Sequence, residues 1–231
     1  MNILAIDTSG RQGSVALARG DAHSYEVLEF RPLAGGMYSA ELVPRISDVL
    51  GARKLANSDV DLFAVCSGPG SFTGLRVGLS AVKALAEVLR KPIVACTVLE
   101  AICAGASQGV NTKGHVLAAL DAQRGEVFCG EFEVDGTSAT RISETLSTMN
   151  EFTAWLGARV PVPAVYTPDE MVAMKIRASG TPVHMVARPA ADSYARIGLT
   201  KFLSGHVVST EELDADYIRR SDAEIFSASK K

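Results

Sequence analysis

A run of glycine and small polar residues between an apolar strand and an apolar helix is the densest candidate for chemistry in this chain. Its members are Ser67, Gly68, Pro69, Gly70, Ser71, Phe72, Thr73 and Gly74. Backbone amides at the N-terminus of a helix can hold an anion, so this loop could bind a phosphate group. Glycine also permits positive φ angles and proline stiffens a turn, so a purely structural turn is the alternative.

The spacing of this loop excludes two catalytic motifs. A nucleotide P-loop needs a Lys after its second glycine, and none follows Gly68 or Gly70 at that distance. A nucleophile elbow needs a central Ser, where this chain has Phe72. A dinucleotide fingerprint fits loosely, but the next strand ends at Cys96-Thr97 without the acid that would hold a ribose. The structural turn and the weaker dinucleotide hypothesis both stay open.

Acidic residues end two apolar strands and could mark phosphate-binding turns. The candidates are Asp7, Thr8 and Ser9 in the first turn and Asp121 in the second. In the second turn, Glu126 would repel a phosphate group. We therefore expect weak or no ATP hydrolysis by the isolated chain, with Asp7 either a remnant metal–phosphate group or a simple turn residue.

The side chains that usually bind metals are dispersed. The four histidines are far apart in sequence, and none belongs to a His-x-x-x-His or His-Glu-x-x-His motif: His23, His115, His184 and His206. The four cysteines lie singly in apolar runs: Cys66, Cys96, Cys103 and Cys129. We predict buried reduced thiols, no metal site and no cofactor, and a peptidase has almost no residue support.

The charge and hydropathy patterns restrict the setting in which the chain works. A net charge of −3 with scattered Lys and Arg does not favour binding to a nucleic acid without a partner. No apolar run is long enough for a transmembrane helix, and the N-terminal residues lack the basic region of a signal peptide. The expectation is a cytoplasmic protein that does not contact membranes.

The apolar periodicity predicts the elements that must position these residues. Three strands come first, followed by alternating helices and strands, over residues 3–6, 14–18, 25–30, 39–50, 62–66, 73–90, 93–96 and 99–106. Three consecutive strands followed by this alternation is the ribonuclease H-like pattern. It predicts an α/β protein of the actin, Hsp70 and sugar-kinase fold, in which that unit occurs twice.

The second half repeats the opening of the first. A strand over residues 116–120 ends in Asp121, and a second strand follows over 126–134, which suggests a degenerate internal duplication. Further elements are predicted at 151–156, 162–166 and 192–203, with partial helix at 211–226. The predicted division is an N-terminal lobe over 1–106, joined by the C-terminal helix 211–226, and a degenerate C-terminal lobe over 107–210.

The helix over residues 73–90 carries apolar residues on more than one face, which predicts burial on most sides. Packing between a sheet and a neighbouring helix of the same chain accounts for this pattern. An additional subunit interface, formed with the helix over 39–50, is the second interpretation. The candidate interface residues are Leu42, Ile46, Leu75, Gly78 and Val82.

Four segments resemble the TsaB (YeaZ) family in order and spacing. They are residues 67–78 with the sequence Ser-Gly-Pro-Gly-Ser-Phe-Thr-Gly-Leu-Arg-Val-Gly, residues 3–9, residues 117–127, and the Asp-Tyr-Ile-Arg segment 216–219. The resemblance implies the two-lobe fold named above and helix-mediated pairing through the first lobe. It also implies a catalytic paralogue, TsaD, and a small ATPase, TsaE, as partners.

The resemblance further implies a function in tRNA modification. The catalytic paralogue transfers threonylcarbamoyl from threonylcarbamoyl-AMP to N6 of the adenosine beside the anticodon, in tRNAs that read codons beginning with A. It holds a metal with two histidines on its first helix, where the matching positions here are Tyr38 and Leu42. We therefore expect a non-catalytic partner that dimerises with itself when alone and meets tRNA only through the complex. The alternatives are an autonomous ATPase or sugar-kinase-like enzyme, and a peptidase.

Overall fold

The computed structural model of the chain describes residues 1–109, 113–135, 138–161, 163–216 and 218. Its strands form two five-stranded sheets. The first sheet has the order β3-β2-β1-β4-β5, in which β1 pairs antiparallel with β2 and parallel with β4. Its strands are β1 Asn2–Asp7, β2 Gln12–Gly20, β3 Tyr25–Ala34, β4 Leu62–Gly68 and β5 Ile93–Thr97.

The second sheet repeats this topology. Its order is β10-β9-β6-β7-β8, so the first strand of each half lies at the centre, between the second and the fourth. Here too the first two strands pair antiparallel and the first and fourth pair parallel. The strands are β6 Lys113–Asp121, β7 Glu126–Asp135, β8 Ser138–Thr148, β9 Ala164–Thr167 and β10 Val183–Met185. The predicted duplication of a ribonuclease H-like unit is confirmed.

Six helices of the described residues cover these sheets: α1 Tyr38–Gly51, α2 Phe72–Leu89, α3 Val98–Gly109, α4 Met149–Gly157, α5 Glu170–Ala178 and α6 Ala191–Leu203. A short 3₁₀ helix spans Asn57–Asp59. None of the helices within the described ranges is long and apolar enough to cross a membrane.

Helix α2 starts and ends through local backbone chemistry. The Ser71 hydroxyl accepts a hydrogen bond from the amide of Gly74 at 3.3 Å, which caps the first turn. Arg90 ends the helix in the left-handed region, at φ 54°. The helix buries one face, through Leu75, Leu79, Val82 and Ala86, whereas Val88 is 80% exposed. The structure therefore differs from the prediction of burial on most sides, because α2 covers the sheet with one face only.

Helices α3 and α6 pack on opposite halves of the fold. Helix α6 covers β1, β2 and β4 of the first sheet, and α3 covers β6, β7 and β8 of the second. The two helices also contact each other. The sequence-based division placed α3 in the first lobe and α6 in the second. Hydrophobic periodicity identifies a buried helix but does not tell which sheet buries it.

The predicted C-terminal helix over residues 211–226 is not seen in the part that the structure describes. Residues 211 and 212 form a turn, and 213–216 have no regular secondary structure. Residues 217 and 219–226 lie outside the described residues.

Strand β6 serves two hydrophobic cores because successive side chains point to opposite faces of a sheet. Val116, Ala118 and Leu120 belong to the larger core, which continues through α3 and α6 into the first sheet. Leu117 and Ala119 belong to a smaller core beneath α4 and α5. This arrangement explains the unbroken apolar run that precedes Asp121.

Candidate functional site at the end of the first sheet

The carboxyl group of Asp7 is buried where β1 ends, with only 3% of the residue exposed. Its Oδ1 atom accepts a hydrogen bond from the amide of Ser9 at 2.8 Å. Burial raises the pKa of Asp7, and the hydrogen bond from the Ser9 amide and the charge of Arg188 oppose that shift. The Asp7 carboxyl group therefore stabilises the turn at the end of β1. No oppositely charged side chain of the described residues forms an ion pair with it.

The glycine-rich loop over residues 67–74 packs directly on this turn. The Ser71 amide donates to the Ser9 carbonyl at 2.7 Å. A Cβ atom on Gly70 would collide with the same Ser9 carbonyl, and one on Gly78 would collide with the Thr8 hydroxyl. The absence of side chains thus permits close contact between two backbone segments. The structure brings the predicted loop and the residues Asp7, Thr8 and Ser9 together, and it favours the structural interpretation of the glycines.

Tyr38 starts helix α1 and closes the other side of the turn. Its hydroxyl donates to the carbonyl of Gly10 at 2.7 Å, and its ring lies where a Cβ atom on Gly13 would be. Leu42, one helical turn later, is buried in the core. These two positions therefore hold a structural tyrosine and a core leucine, neither of which offers an imidazole ligand.

The Asp121 turn of the second sheet satisfies its own polar groups. The backbone amide and the side-chain amide of Gln123 donate to the Asp121 carboxylate at 3.0 and 2.6 Å. The Asp121 amide donates to Asp169 at 2.7 Å. These contacts all lie within the second half of the chain, and among the described residues no three His, Cys, Asp or Glu side chains form a group that could hold a metal ion.

Two buried hydroxyl groups near Asp7 have no hydrogen-bond partner within the described structure: those of Ser9 and Tyr194. Tyr194 comes from helix α6 and is fully buried. The neighbouring Cys66 is also buried, and this burial, with the charge of Asp7, raises the pKa of its thiol to about 12. Cys66 is therefore a thiol rather than a nucleophilic thiolate at neutral pH. No sequence pattern pointed to Tyr194, because this residue approaches from a helix almost 190 residues after Asp7.

All five residues predicted for a subunit interface lie in the core of the chain: Leu42, Ile46, Leu75, Gly78 and Val82. Helices α1 and α2 nevertheless carry exposed apolar side chains. Val43 on α1 is 63% exposed, and Val88 on α2 is 80% exposed. An interface formed by these helices stays a prediction, and its contacts would be made by exposed residues such as these.

A polar contact links the two sheets near the start of α3. The Thr97 hydroxyl, at the end of β5, donates to Oε1 of Glu144 on β8 at 2.6 Å. Arg141 lies 3.5 Å from the other oxygen of Glu144 and bonds Asp216 at 2.9 Å. Burial raises the pKa of Glu144 to about 7. Sequence reasoning missed this contact, because β8 was not predicted as a strand.

Known proteins resemble this chain both in sequence and in fold. A family model described as "TsaD: tRNA N6-adenosine threonylcarbamoyltransferase" matches residues 32–205. A relative named "tRNA threonylcarbamoyladenosine biosynthesis protein TsaB" from Bacillus subtilis is 34% identical over 133 residues, which cover 58% of this chain and 56% of the relative. The Escherichia coli protein of the same name is 33% identical over 146 residues, which cover 63% and 61%.

The solved structure described as YeaZ from Pseudomonas aeruginosa has a TM-score of 0.72 and 24% sequence identity, and the match covers 93% of this chain and 100% of that chain. A likeness at this identity shows the fold. The family model covers most of the chain, and the curated matches carry the TsaB name. The chain therefore belongs to the family of that model, as a member of its TsaB/YeaZ group.

Proposed function

We propose that this chain takes part in the biosynthesis of threonylcarbamoyladenosine in tRNA, as a partner subunit that does not itself catalyse the transfer. The names of the curated relatives and the description of the family model support the pathway. In this proposal a TsaD-like paralogue transfers threonylcarbamoyl to N6 of the adenosine beside the anticodon. This chain supports that paralogue, and tRNA is bound only by the complex.

The occupation of two positions on helix α1 carries the non-catalytic assignment. Tyr38 donates its hydroxyl to the Gly10 carbonyl, and Leu42 is 2% exposed within the core. Both side chains are thus committed to packing at the place where the catalytic paralogue is expected to have metal-binding histidines. A leucine has no donor atom, and a tyrosine that stabilises a turn is not available as a metal ligand.

We further propose that helices α1 and α2 form the surface that contacts the TsaD-like paralogue, with a TsaE-like ATPase joining the assembly. The same surface would pair two copies when the chain is alone. Val43 and Val88 are apolar, exposed and carried by these helices. Apolar side chains at the centre of an interface contribute most when they are removed from water.

The interface is tested by Val88→Arg, which places a charge on α2 without disturbing the core. We expect loss of self-association in sedimentation velocity and loss of co-purification with the TsaD-like paralogue. The matched control is Val160→Arg, because Val160 is 96% exposed and lies in the loop after α4. Full retention of both associations by Val88→Arg would refute this surface.

The non-catalytic assignment is tested by reconstitution. The TsaD-like paralogue, the TsaE-like ATPase and this chain are combined with unmodified tRNA, threonylcarbamoyl-AMP and ATP, and the modified nucleoside is quantified. We expect no transfer by this chain alone and a large increase when it is added to the paralogue. Transfer by this chain alone would refute the non-catalytic assignment. Equal activity of the paralogue without this chain would refute its supporting role.

A further inference from the structure

A cleft of about 510 Å³ opens beside the buried carboxyl of Asp7. Its walls come from β2, β3, α1 and the segment before α6, and its described lining contains no residue of the second sheet. The volume is within the usual range for small-molecule sites. This cleft therefore lies beside the first sheet and is separate from the contact between the sheets.

Two of the four charged side chains that line the cleft, Glu41 and Arg45, are already bonded to other parts of the protein. Glu41 accepts a hydrogen bond from the Ala34 amide at 3.1 Å. Arg45 forms an ion pair with Asp48 at 3.2 Å. These groups define one wall of the cleft but have little need of a further partner.

Two opposite charges that line the cleft, those of Asp7 and Arg188, have no ion pair within the described part of the chain. The Asp7 carboxyl group accepts a hydrogen bond from the Ser9 amide through Oδ1, but no oppositely charged side chain of the described residues lies within 4.0 Å of it. Arg188 is exposed at the rim and has neither a hydrogen bond nor an ion pair among the described residues. The charge of Arg188 acts on Asp7, but the two side chains do not meet. A compensating charge stabilises a buried carboxylate, so a cation that reaches Asp7 from the cleft would be favoured there.

The remaining wall is apolar. Phe30 is 40% exposed, and Pro32 and Leu33 continue the same edge of the cleft. A ligand that fits these surroundings presents an ammonium group, a carboxylate and an apolar side chain. A phosphate group fits poorly, because the innermost charge of the cleft is a carboxylate.

We propose that this cleft binds a free α-amino acid with an apolar side chain, its ammonium group on Asp7 and its carboxylate on Arg188. The side chain then covers Phe30 and Pro32. The ammonium group supplies the countercharge that the buried acid lacks, and the carboxylate receives the planar donors of the guanidinium group. This inference does not depend on the proposed role in tRNA modification.

The test is calorimetric titration of the full chain with L-leucine and with three truncated probes. Isoamylamine lacks the carboxylate, 4-methylpentanoate lacks the ammonium group, and glycine lacks the side chain. We expect saturable binding of L-leucine and at least about tenfold weaker binding of isoamylamine and of 4-methylpentanoate, since one charge-assisted hydrogen bond contributes about that factor. Glycine should also bind at least about tenfold more weakly, because it buries no apolar side chain. Absence of L-leucine binding would overturn the proposal. Equal binding of 4-methylpentanoate would also overturn it, because the site would then recognise only an anion.

Two substitutions locate the binding. Arg188→Gln changes an exposed residue and should fold normally, and Asp7→Asn keeps an acceptor for the Ser9 amide while removing the charge. Each should weaken L-leucine binding at least about tenfold. Arg53→Gln is the control, because that guanidinium group is paired with Glu29 and lies outside the cleft lining, and it should keep the wild-type affinity. If Asp7→Asn does not fold, Arg188→Gln alone decides, and wild-type affinity in that variant would refute the site.

Discussion

Replacement of Glu144 by glutamine should change how the stability of the protein depends on pH. The Glu144 side chain is only 3% exposed, and its burial raises its pKa from an ordinary 4.5 to about 7. A shift of one pKa unit corresponds to about 1.4 kcal/mol, so this raised pKa lowers the free energy of unfolding by roughly 3 kcal/mol when the group is ionised. The residue as a whole is only half-buried, so screening by solvent reduces this free energy. We therefore expect the stability difference between the variant and the wild type to change by about 1 to 3 kcal/mol across the pH range.

The direction follows from the protons bound in each state. Between about pH 4.5 and pH 7, folded Glu144 keeps a proton that the unfolded chain has released. The stability of the wild type therefore falls as the pH rises through this range, and the contribution of this group is lost above about pH 7. Glutamine cannot ionise, and its carbonyl can still accept the hydrogen bond from Thr97. The variant should gain stability relative to the wild type as the pH rises.

The assay is urea unfolding of the wild type and Glu144→Gln at several values from about pH 5 to about pH 8, where the carboxyl group titrates. The control is Glu133→Gln on β7, since Glu133 is exposed. The control should follow the wild type at every pH. A constant difference between Glu144→Gln and the wild type across this range would refute the reasoning.

Three further outcomes follow from the packing of buried residues. Gly78→Ala should lower the free energy of unfolding, measured in urea, by about 1–3 kcal/mol, because the new Cβ atom meets the Thr8 hydroxyl. Gly51→Ala has open space in helix α1 and should be neutral or slightly stabilising. Tyr194→Phe should leave thermal stability unchanged or increased, because the lost hydroxyl has no partner in the described structure, and a drop of several degrees would contradict this. All four cysteines are buried and free. An aromatic disulfide reagent should therefore modify none of them in the folded protein and all of them in urea. Rapid reaction before unfolding would be incompatible with this packing.

The order of elements in the first half could be predicted from the sequence, because each has a clear period. Strand β1 is a short apolar run that ends in Asp7, and α1 places Leu42, Ile46 and Val49 on one face. The second half was harder. Strand β8 carries Ser, Thr and charged residues on a half-exposed surface, so its pattern did not distinguish it from a loop.

The candidate site shows a similar division. The glycine-rich loop could be found from its composition, but its packing on Thr8 and Ser9 joins segments about 60 residues apart and has no local signal. The contact of Tyr194 with this region depends on α6 crossing to the first sheet. Such contacts are set by the tertiary arrangement, which hydrophobic periodicity does not specify.

The central claim is that the chain serves threonylcarbamoyladenosine biosynthesis without carrying the catalytic centre. Its most direct test is mass spectrometry of nucleosides from bulk tRNA after the chain is depleted from its host. Threonylcarbamoyladenosine should fall sharply and should return when the wild-type chain or the Val160→Arg control is restored. An unchanged level of threonylcarbamoyladenosine after complete depletion would contradict the account.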